Sequence, residues 1–308
     1  MRAILVPLAG SLMLVSAVGQ AHAEVHGNAD SVPMGREFAA VNGTVIQCPL
    51  PAPREAEAMA AQFETRPRDL DRLAEEAAAF FESDSEIGAA FRARRAEQFA
   101  TDWPQRCRYR DANADLVQSG RDARVVFMGD SITEGWVEAD PEYFSANGYV
   151  GRGISGQSSP QMLARFWQDV VALDPDAVHI MAGTNDIGGA TGPITEVEYI
   201  GTIRSMIDIA KANDITVILA GLPPMSRLLP RLEFDTRPVV PRLNTLLAEL
   251  ARDEGIIFVD YFTSLSAPDD SFDIAYANDG VHPTRAGYAV MKELAEKAIA
   301  QALEPDKE

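Results

Sequence analysis

A chain of 308 residues is long enough for one large domain or two modest ones. With 46% apolar and 24% charged residues it has the composition of a globular protein. Its net charge of −19 repels nucleic acid and anionic lipid, which removes partners with a phosphate backbone from consideration.

Residues 1–23 read as a secretory signal peptide. Arg2 supplies the positive start, an apolar run follows from Ala3 to Val18, and Ala21-His22-Ala23 is a small-x-small cleavage site. The run is short and holds Pro7 and Gly10, so an uncleaved anchor is the weaker reading. No later segment is long and apolar enough to cross a bilayer, and no stable membrane anchor is expected. The mature protein is expected to begin just after Ala23 and to be exported, to the periplasm or the medium.

Export bears on Cys48 and Cys107, the only two cysteines. An oxidising compartment favours joining them, against the alternative of two buried thiols. The enclosed loop is long, and the chain-entropy account gives such a bridge up to about 4 kcal/mol. Neither cysteine has a Cys or His at ligand spacing, so no metal site is expected.

Residues 24–53 read as loosely structured, with Pro49, Pro51 and Pro53 forming an extended stretch. From Arg54 to about Tyr109 the pattern turns helical. Pro67 suits a first helical position, and Leu70, Leu73, Ala77, Phe80 and Phe81 recur at helical spacing. Ser83 with Glu86 fits a capping box for a further helix, with Ile87, Phe91 and Phe99 on its apolar face. Residues 24–120 are therefore expected to be a helical extension docked on a main domain over 121–308. They show no arrangement that suggests chemistry.

From Arg121 strands and helices alternate. Strand-like runs occur at Val125–Met128, Tyr149–Val150, Ala177–Ala182, Thr216–Leu222 and Ile256–Asp260. Helical patterns lie near Pro160–Leu173, Glu196–Ala212, Pro238–Asp253 and Thr284–Leu303. This alternation predicts a parallel sheet covered on both faces.

The first strand runs into Gly129-Asp130-Ser131, and Gly129 is expected to supply the backbone angles of a sharp exit. Ser131 is then either a nucleophile at the carboxyl end of a strand or the cap of the next helix. A nucleophilic serine needs a base, and there are four histidines. His22 lies in the signal peptide, His26 near the new N-terminus, and His179 inside a buried strand. That leaves His282, in the polar loop Asn278–Pro283. Asp279, three residues earlier, either orients the imidazole or serves the turn. Two loops offer donors to a developing oxyanion: Gly151–Gly156 through a glycine N–H, and Gly183–Asp186 through the Asn185 amide. Taken singly, an ordinary glycine turn and an Asx turn explain them as well.

Together these stretches resemble the SGNH hydrolases, also called the GDSL esterase/lipase family. Gly129-Asp130-Ser131 matches the first block of that family, and Gly153 within Arg152–Gly156 matches the second. Gly183-Thr184-Asn185-Asp186 matches the third, and Asp279-Gly280-Val281-His282-Pro283 matches the block with the Asp-x-x-His pair. The resemblance covers about residues 121–303, and the chain looks most similar to the branch of platelet-activating factor acetylhydrolase subunits and bacterial short-chain esterases. It implies a three-layer, flavodoxin-like α/β/α domain with five parallel strands in order 2-1-3-4-5. It implies Ser131 as nucleophile, His282 as base and Asp279 as its orienting acid. The oxyanion hole would be the N–H groups of Ser131 and Gly153 with the Asn185 amide. No cofactor is implied. The substrate would be a small-molecule, lipid-derived or glycan-linked ester. The minimal family domain lacks an extension like 24–120.

The expected function is that of a secreted serine esterase acting on short acyl chains such as acetyl, with a carbohydrate O-acetylesterase or a lysophospholipase of the same fold as alternatives. Two further readings compete: a flavodoxin-like nucleotide module, which Asp130 and Glu134 beside the phosphate position disfavour, and a catalytically dead glycan-binding module. Trp136 and Tyr143 either line a pocket or belong to the core. The proline-rich stretch Leu222–Pro241 carries Arg227, Arg231 and Arg237, which either receive an anionic or sugar-linked substrate or are simply solvated.

Overall fold

The computed structural model describes residues 34–49, 63–64, 86–227, 234–277 and 279–304. The expected signal peptide and the helical pattern over 67–81 lie outside the described residues, as does Ser83.

The described chain opens with an antiparallel hairpin, β1 (Met34–Ala39) and β2 (Val45–Pro49), where a loose segment was expected. Its turn is set by Asn42-Gly43: Gly43 has φ +82°, and the Asn42 side chain accepts from the Thr44 N–H at 3.1 Å. Most of its residues are exposed, so no apolar alternation marks it. Two helices follow, α1 (Glu86–Thr101) and α2 (Arg110–Ser119). Cys48 is bonded to Cys107, which ties the hairpin to the segment between these helices.

The main domain then alternates strands and helices. In chain order these are β3 (Val125–Gly129), α3 (Ser131–Ala139), α4 (Pro141–Asn147), β4 (Tyr149–Gly153), α5 (Ser159–Asp169), β5 (Ala177–Ile180) and α6 (Thr184–Ile187). There follow α7 (Glu196–Lys211), β6 (Thr216–Ala220), α8 (Val239–Glu254), β7 (Ile257–Val259), α9 (Phe262–Leu265) and α10 (Arg285–Ala302). The sheet has the order β4-β3-β5-β6-β7 with every pairing parallel, which is the expected 2-1-3-4-5 arrangement.

The pleat explains the three layers. Val126 and Met128 point to one face, where α5, α7 and α8 bring Phe166, Ile203, Met206 and Leu247. Val125 and Phe127 point to the other, where α3, α4 and α10 bring Trp136, Phe144, Met291 and Ala295. Trp136 and Tyr143 are core residues here, stacked with a centroid separation of 6.0 Å. His179 is likewise buried, with Nε2 2.9 Å from the Tyr261 hydroxyl, and burial pulls its pKa down to about 4.

Two local readings are corrected. β4 extends to Gly153, because its backbone stays in register with β3 from Val125↔Tyr149 to Gly129↔Gly153. Gly153 therefore closes a strand and does not begin a loop. Gly129 is not among the glycines with positive φ. It is needed for space: a Cβ there would lie 2.0 Å from Thr133 Oγ1.

The ends of β3 and β4 share one support. The Arg165 guanidinium, on α5 and fully buried, donates to Gly129 O at 3.2 Å and to Arg152 O at 2.8 Å. It also donates to Gln157 Oε1 at 2.6 Å and to Asp169 at 2.9 Å. Arg165→Ala leaves Asp169 buried without its cation, and breaking such a pair costs about 3–5 kcal/mol. Urea denaturation followed by circular dichroism should show a loss of that size.

Candidate active site

Ser131, Gly153, Asn185, Asp279 and His282 lie at the carboxyl edge of the sheet or in the loop before α10. The chain leaves β3 to one side for β4 and returns to the other side for β5. Ligands of open α/β sheets bind at such a reversal of strand order. Ser131 is the first residue of α3. Its cap is Asp130, whose carboxylate accepts from the Ile132 N–H at 2.9 Å. Ser131 is thus not the capping residue, and its hydroxyl is left for other work. Its N–H also has no acceptor within the helix, as for any first helical residue.

The hydroxyl has a partner 151 positions away. Ser131 Oγ lies 2.9 Å from His282 Nε2, and His282 Nδ1 lies 2.7 Å from Asp279 Oδ2. The other Asp279 oxygen accepts from the backbone N–H groups of Val281, at 2.9 Å, and His282, at 2.7 Å. Those two bonds curl the loop so that a residue three positions earlier sits beneath the imidazole. Ser226 secures the same loop by donating its N–H to Gly280 O at 2.7 Å.

Electrostatics follow from the geometry. Burial pushes the Asp279 carboxyl up, but the His282 charge and the hydrogen bonds outweigh it and hold the pKa down at about 2. Burial pulls His282 down, and the charge and hydrogen bond of Asp279, with the charge of Asp130, outweigh it and raise its pKa. Asp130 goes the other way: burial lifts it to about 6, against the Ile132 N–H and the His282 charge.

Gly153 and Asn185 both pack against Asp130, the residue before Ser131. Gly153 packs on the first turn of α3 so closely that a Cβ would lie 2.2 Å from Glu134 N. The Asn185 amide donates to Gln157 O at 3.0 Å and to Asp130 at 3.2 Å. The neighbouring Asp186 accepts from the Ser159 N–H at 2.9 Å and its hydroxyl at 2.6 Å, which fixes the Asn185 turn against α5.

Of the loop arginines, Arg237 is exposed and paired with Asp235 at 2.9 Å, and Arg231 lies outside the described residues. Among the described residues no cluster of three or more His, Cys, Asp or Glu could hold a metal ion. No helix among them is long and apolar enough to cross a membrane.

Sequence reasoning missed Arg165 and Tyr109, and named Glu134 only as an acidic residue that disfavours a nucleotide module. Arg165 left a trace, since it falls on the apolar stripe of α5 between Met162 and Phe166 and four residues before Asp169. Glu134 accepts from Arg108 at 2.8 Å and from the Ser155 N–H at 2.9 Å, and Tyr109 donates its hydroxyl to Gly153 O. The Arg108 and Tyr109 contacts reach the site from the segment before β3, over separations that leave no local pattern.

A serine hydroxyl on an imidazole held by a carboxylate, at the edge of a doubly covered parallel sheet, is the arrangement by which serine hydrolases activate an oxygen nucleophile. The GDSL-like lipase/acylhydrolase family matches residues 127–290, and the chain belongs to it. It is a carboxylic ester hydrolase. A candidate acylhydrolase from Bacteroides fragilis is 43% identical with a TM-score of 0.63, over 66% of this chain and 100% of that one. A GDSL-like lipase from Bacteroides thetaiotaomicron is 42% identical with a TM-score of 0.62, over the same shares. An acetylxylan esterase from Geobacillus stearothermophilus is 28% identical over 208 residues, 57% of this chain and 93% of the relative.

His282 should titrate above the usual histidine value of 6.5 when followed by proton NMR of the ring. Asp279→Asn keeps an acceptor for Nδ1 but removes the charge, so the midpoint should move down. An unmoved midpoint would show that Asp279 does not set it.

Proposed function

We propose that this protein is an exported serine esterase that removes short acyl groups, acetyl above all, through an acyl-enzyme. The observation that carries the reading is the continuous line from Ser131 Oγ through His282 to Asp279, at 2.9 and 2.7 Å. His282 Nε2 takes the proton as Ser131 Oγ forms its bond to the ester carbonyl carbon. The carbonyl oxygen becomes an oxyanion facing the N–H groups of Ser131 and Gly153 and the Asn185 amide. For that contact, Asn185 turns toward the substrate the hydrogen it now directs at Asp130, the more distant of its two acceptors. His282 then passes its proton to the leaving alkoxide as the ester C–O bond breaks. Water repeats the cycle in reverse to free the acid. Asp279 stays ionised throughout and holds the imidazole in one tautomer.

In this reading residues 24–120 form an extension docked on the hydrolase domain at 121–308. Export is supported by the character of residues 1–23 and by the Cys48–Cys107 bond. A second reading, carbohydrate O-acetylesterase, is favoured by the acetylxylan esterase relative. Lipid-derived esters are the remaining substrate class, and a catalytically silent glycan-binding module is disfavoured by the joined Ser131, His282 and Asp279.

Ser131→Ala should abolish hydrolysis of p-nitrophenyl acetate without changing the circular dichroism spectrum. Retained activity would refute the assignment. Asn185→Ala should lower kcat by about 10²–10³, the usual cost of one oxyanion donor; an unchanged kcat removes Asn185 from the hole. A p-nitrophenyl ester chain-length series, run beside acetylated xylan, should show kcat/KM falling steeply beyond short acyl chains. A maximum at long chains would favour lipid-derived substrates.

A further inference from the structure

We propose that Tyr109 is a positioning residue for the oxyanion hole, so that the N-terminal extension belongs to the catalytic apparatus. The proposal rests on the reading of Gly153 as an oxyanion donor.

The two peptide groups that flank Gly153 are held separately. The carbonyl of the preceding peptide, Arg152 O, accepts from Arg165 at 2.8 Å. The following peptide is pinned at both ends: its N–H, on Ile154, donates to Gly129 O at 3.1 Å, and its carbonyl, Gly153 O, accepts from the Tyr109 hydroxyl. The Gly153 Cα is pressed onto α3, with no room for a side chain. These bonds leave the Gly153 N–H as the group this turn presents to the site. Three of the holders, Arg165, Gly129 and α3, are part of the hydrolase domain. Tyr109 alone comes from the extension.

Tyr109 is itself built in. The Arg152 guanidinium lies 4.8 Å from its ring centroid and that of Arg108 5.3 Å. Arg152 donates to Asn113 at 2.8 Å, and Arg108 donates to Glu134 at 2.8 Å. Glu134 in turn accepts the Ser155 N–H, two residues past Gly153. Cys107, two residues before Tyr109, carries the bond to Cys48. Burial, with the charge of Glu134, pushes the phenol up to about 12, so the hydroxyl stays a donor throughout the neutral range. A glycine held this tightly on one side by a residue outside the minimal domain has its N–H direction set partly by that residue. Small misplacements of a catalytic group cost large factors in rate.

The test is Tyr109→Phe, which removes only the donor, compared with the wild type and with Ser131→Ala on p-nitrophenyl acetate. The expected result is a kcat lower by about tenfold, less than loss of a donor outright. KM and the midpoint of the acid limb of the pH profile should be unchanged. The bimolecular rate of labelling by a fluorophosphonate, whose phosphoryl oxygen enters the same hole, should fall by the same factor. An unchanged kcat overturns the proposal, as does an effect on KM alone, which would mark a substrate contact. A kcat loss that vanishes well below the Tm of the variant would mark a merely structural role and also overturns it. If Ser131→Ala remains active, the underlying reading of the site fails. If Ser131→Ala is inactive and Tyr109→Phe behaves as wild type, only this proposal fails.

Discussion

The structure around the site depends on one buried cation. Arg165 donates to four acceptors, two of them the carbonyls that end β3 and β4, and none of its side chain meets solvent. A buried guanidinium is tolerated only when its donors are satisfied and its charge is matched, and Asp169 one turn along α5 supplies the match. The consequence is positional. Gly129 O belongs to the strand that delivers Ser131, and Arg152 O to the peptide that carries the Gly153 N–H. Gln157, which accepts from the Arg165 Nε, offers its own carbonyl to the Asn185 amide. One rigid, planar group thus sets the separation of the strand that carries the serine from both neighbouring loops. A lysine, with a single nitrogen, lacks the fork to reach these acceptors together.

A second constraint is the opposite treatment of two buried carboxylates near His282. Asp279 receives two backbone N–H groups and the imidazole, and stays ionised down to about pH 2. Asp130 receives the Ile132 N–H, one amide hydrogen and a side-chain hydrogen bond from Thr184, yet burial dominates and the charge of Asp186 adds to it, so it holds a proton up to about pH 6. The two act with opposite sign on stability. Asp279, depressed in the folded state, contributes stability above its unfolded value that is lost as pH falls through about 2. Asp130, raised in the folded state, contributes at low pH and loses that contribution as pH climbs from its unfolded value through about 6. Around neutrality the imidazole therefore has one firm anionic partner at Nδ1, and a second charge nearby whose ionisation burial resists.

How much of this was readable from residues alone follows from where the information lies. The alternation of apolar runs places three of the four blocks at the ends of strands and the fourth in the loop before the last helix, because each sits within a few residues of an element's end. His179 reads as a core histidine because it lies in an apolar run, and its burial against Phe127 and Tyr261 bears that out. The errors came where one residue type serves two physical ends. Gly129 looked like a conformational choice and is a spatial one, set by the first turn of α3, which crowds Gly153 as well. The hairpin was unreadable because main-chain pairing and a distant cysteine hold it, and neither leaves a hydrophobic rhythm. Tyr109 and Gly153 are 44 residues apart, and nothing in a lone tyrosine announces a carbonyl partner.

The way residues 103–106 are held also explains why they leave so little mark on their own sequence. Three glutamines on and just before α5, Gln157, Gln161 and Gln168, donate to backbone carbonyls of Pro104, Trp103 and Arg106 at 2.8, 2.7 and 2.9 Å. Side chains on the recipient read main chain on the extension, so the path of residues 103–106 matters more there than their identity. The family match begins at residue 127, after this segment, yet the contacts of the segment end on Gly153, Glu134 and the start of α5. Arg108 and Tyr109 are where side chains of this stretch turn toward the loop beside Ser131.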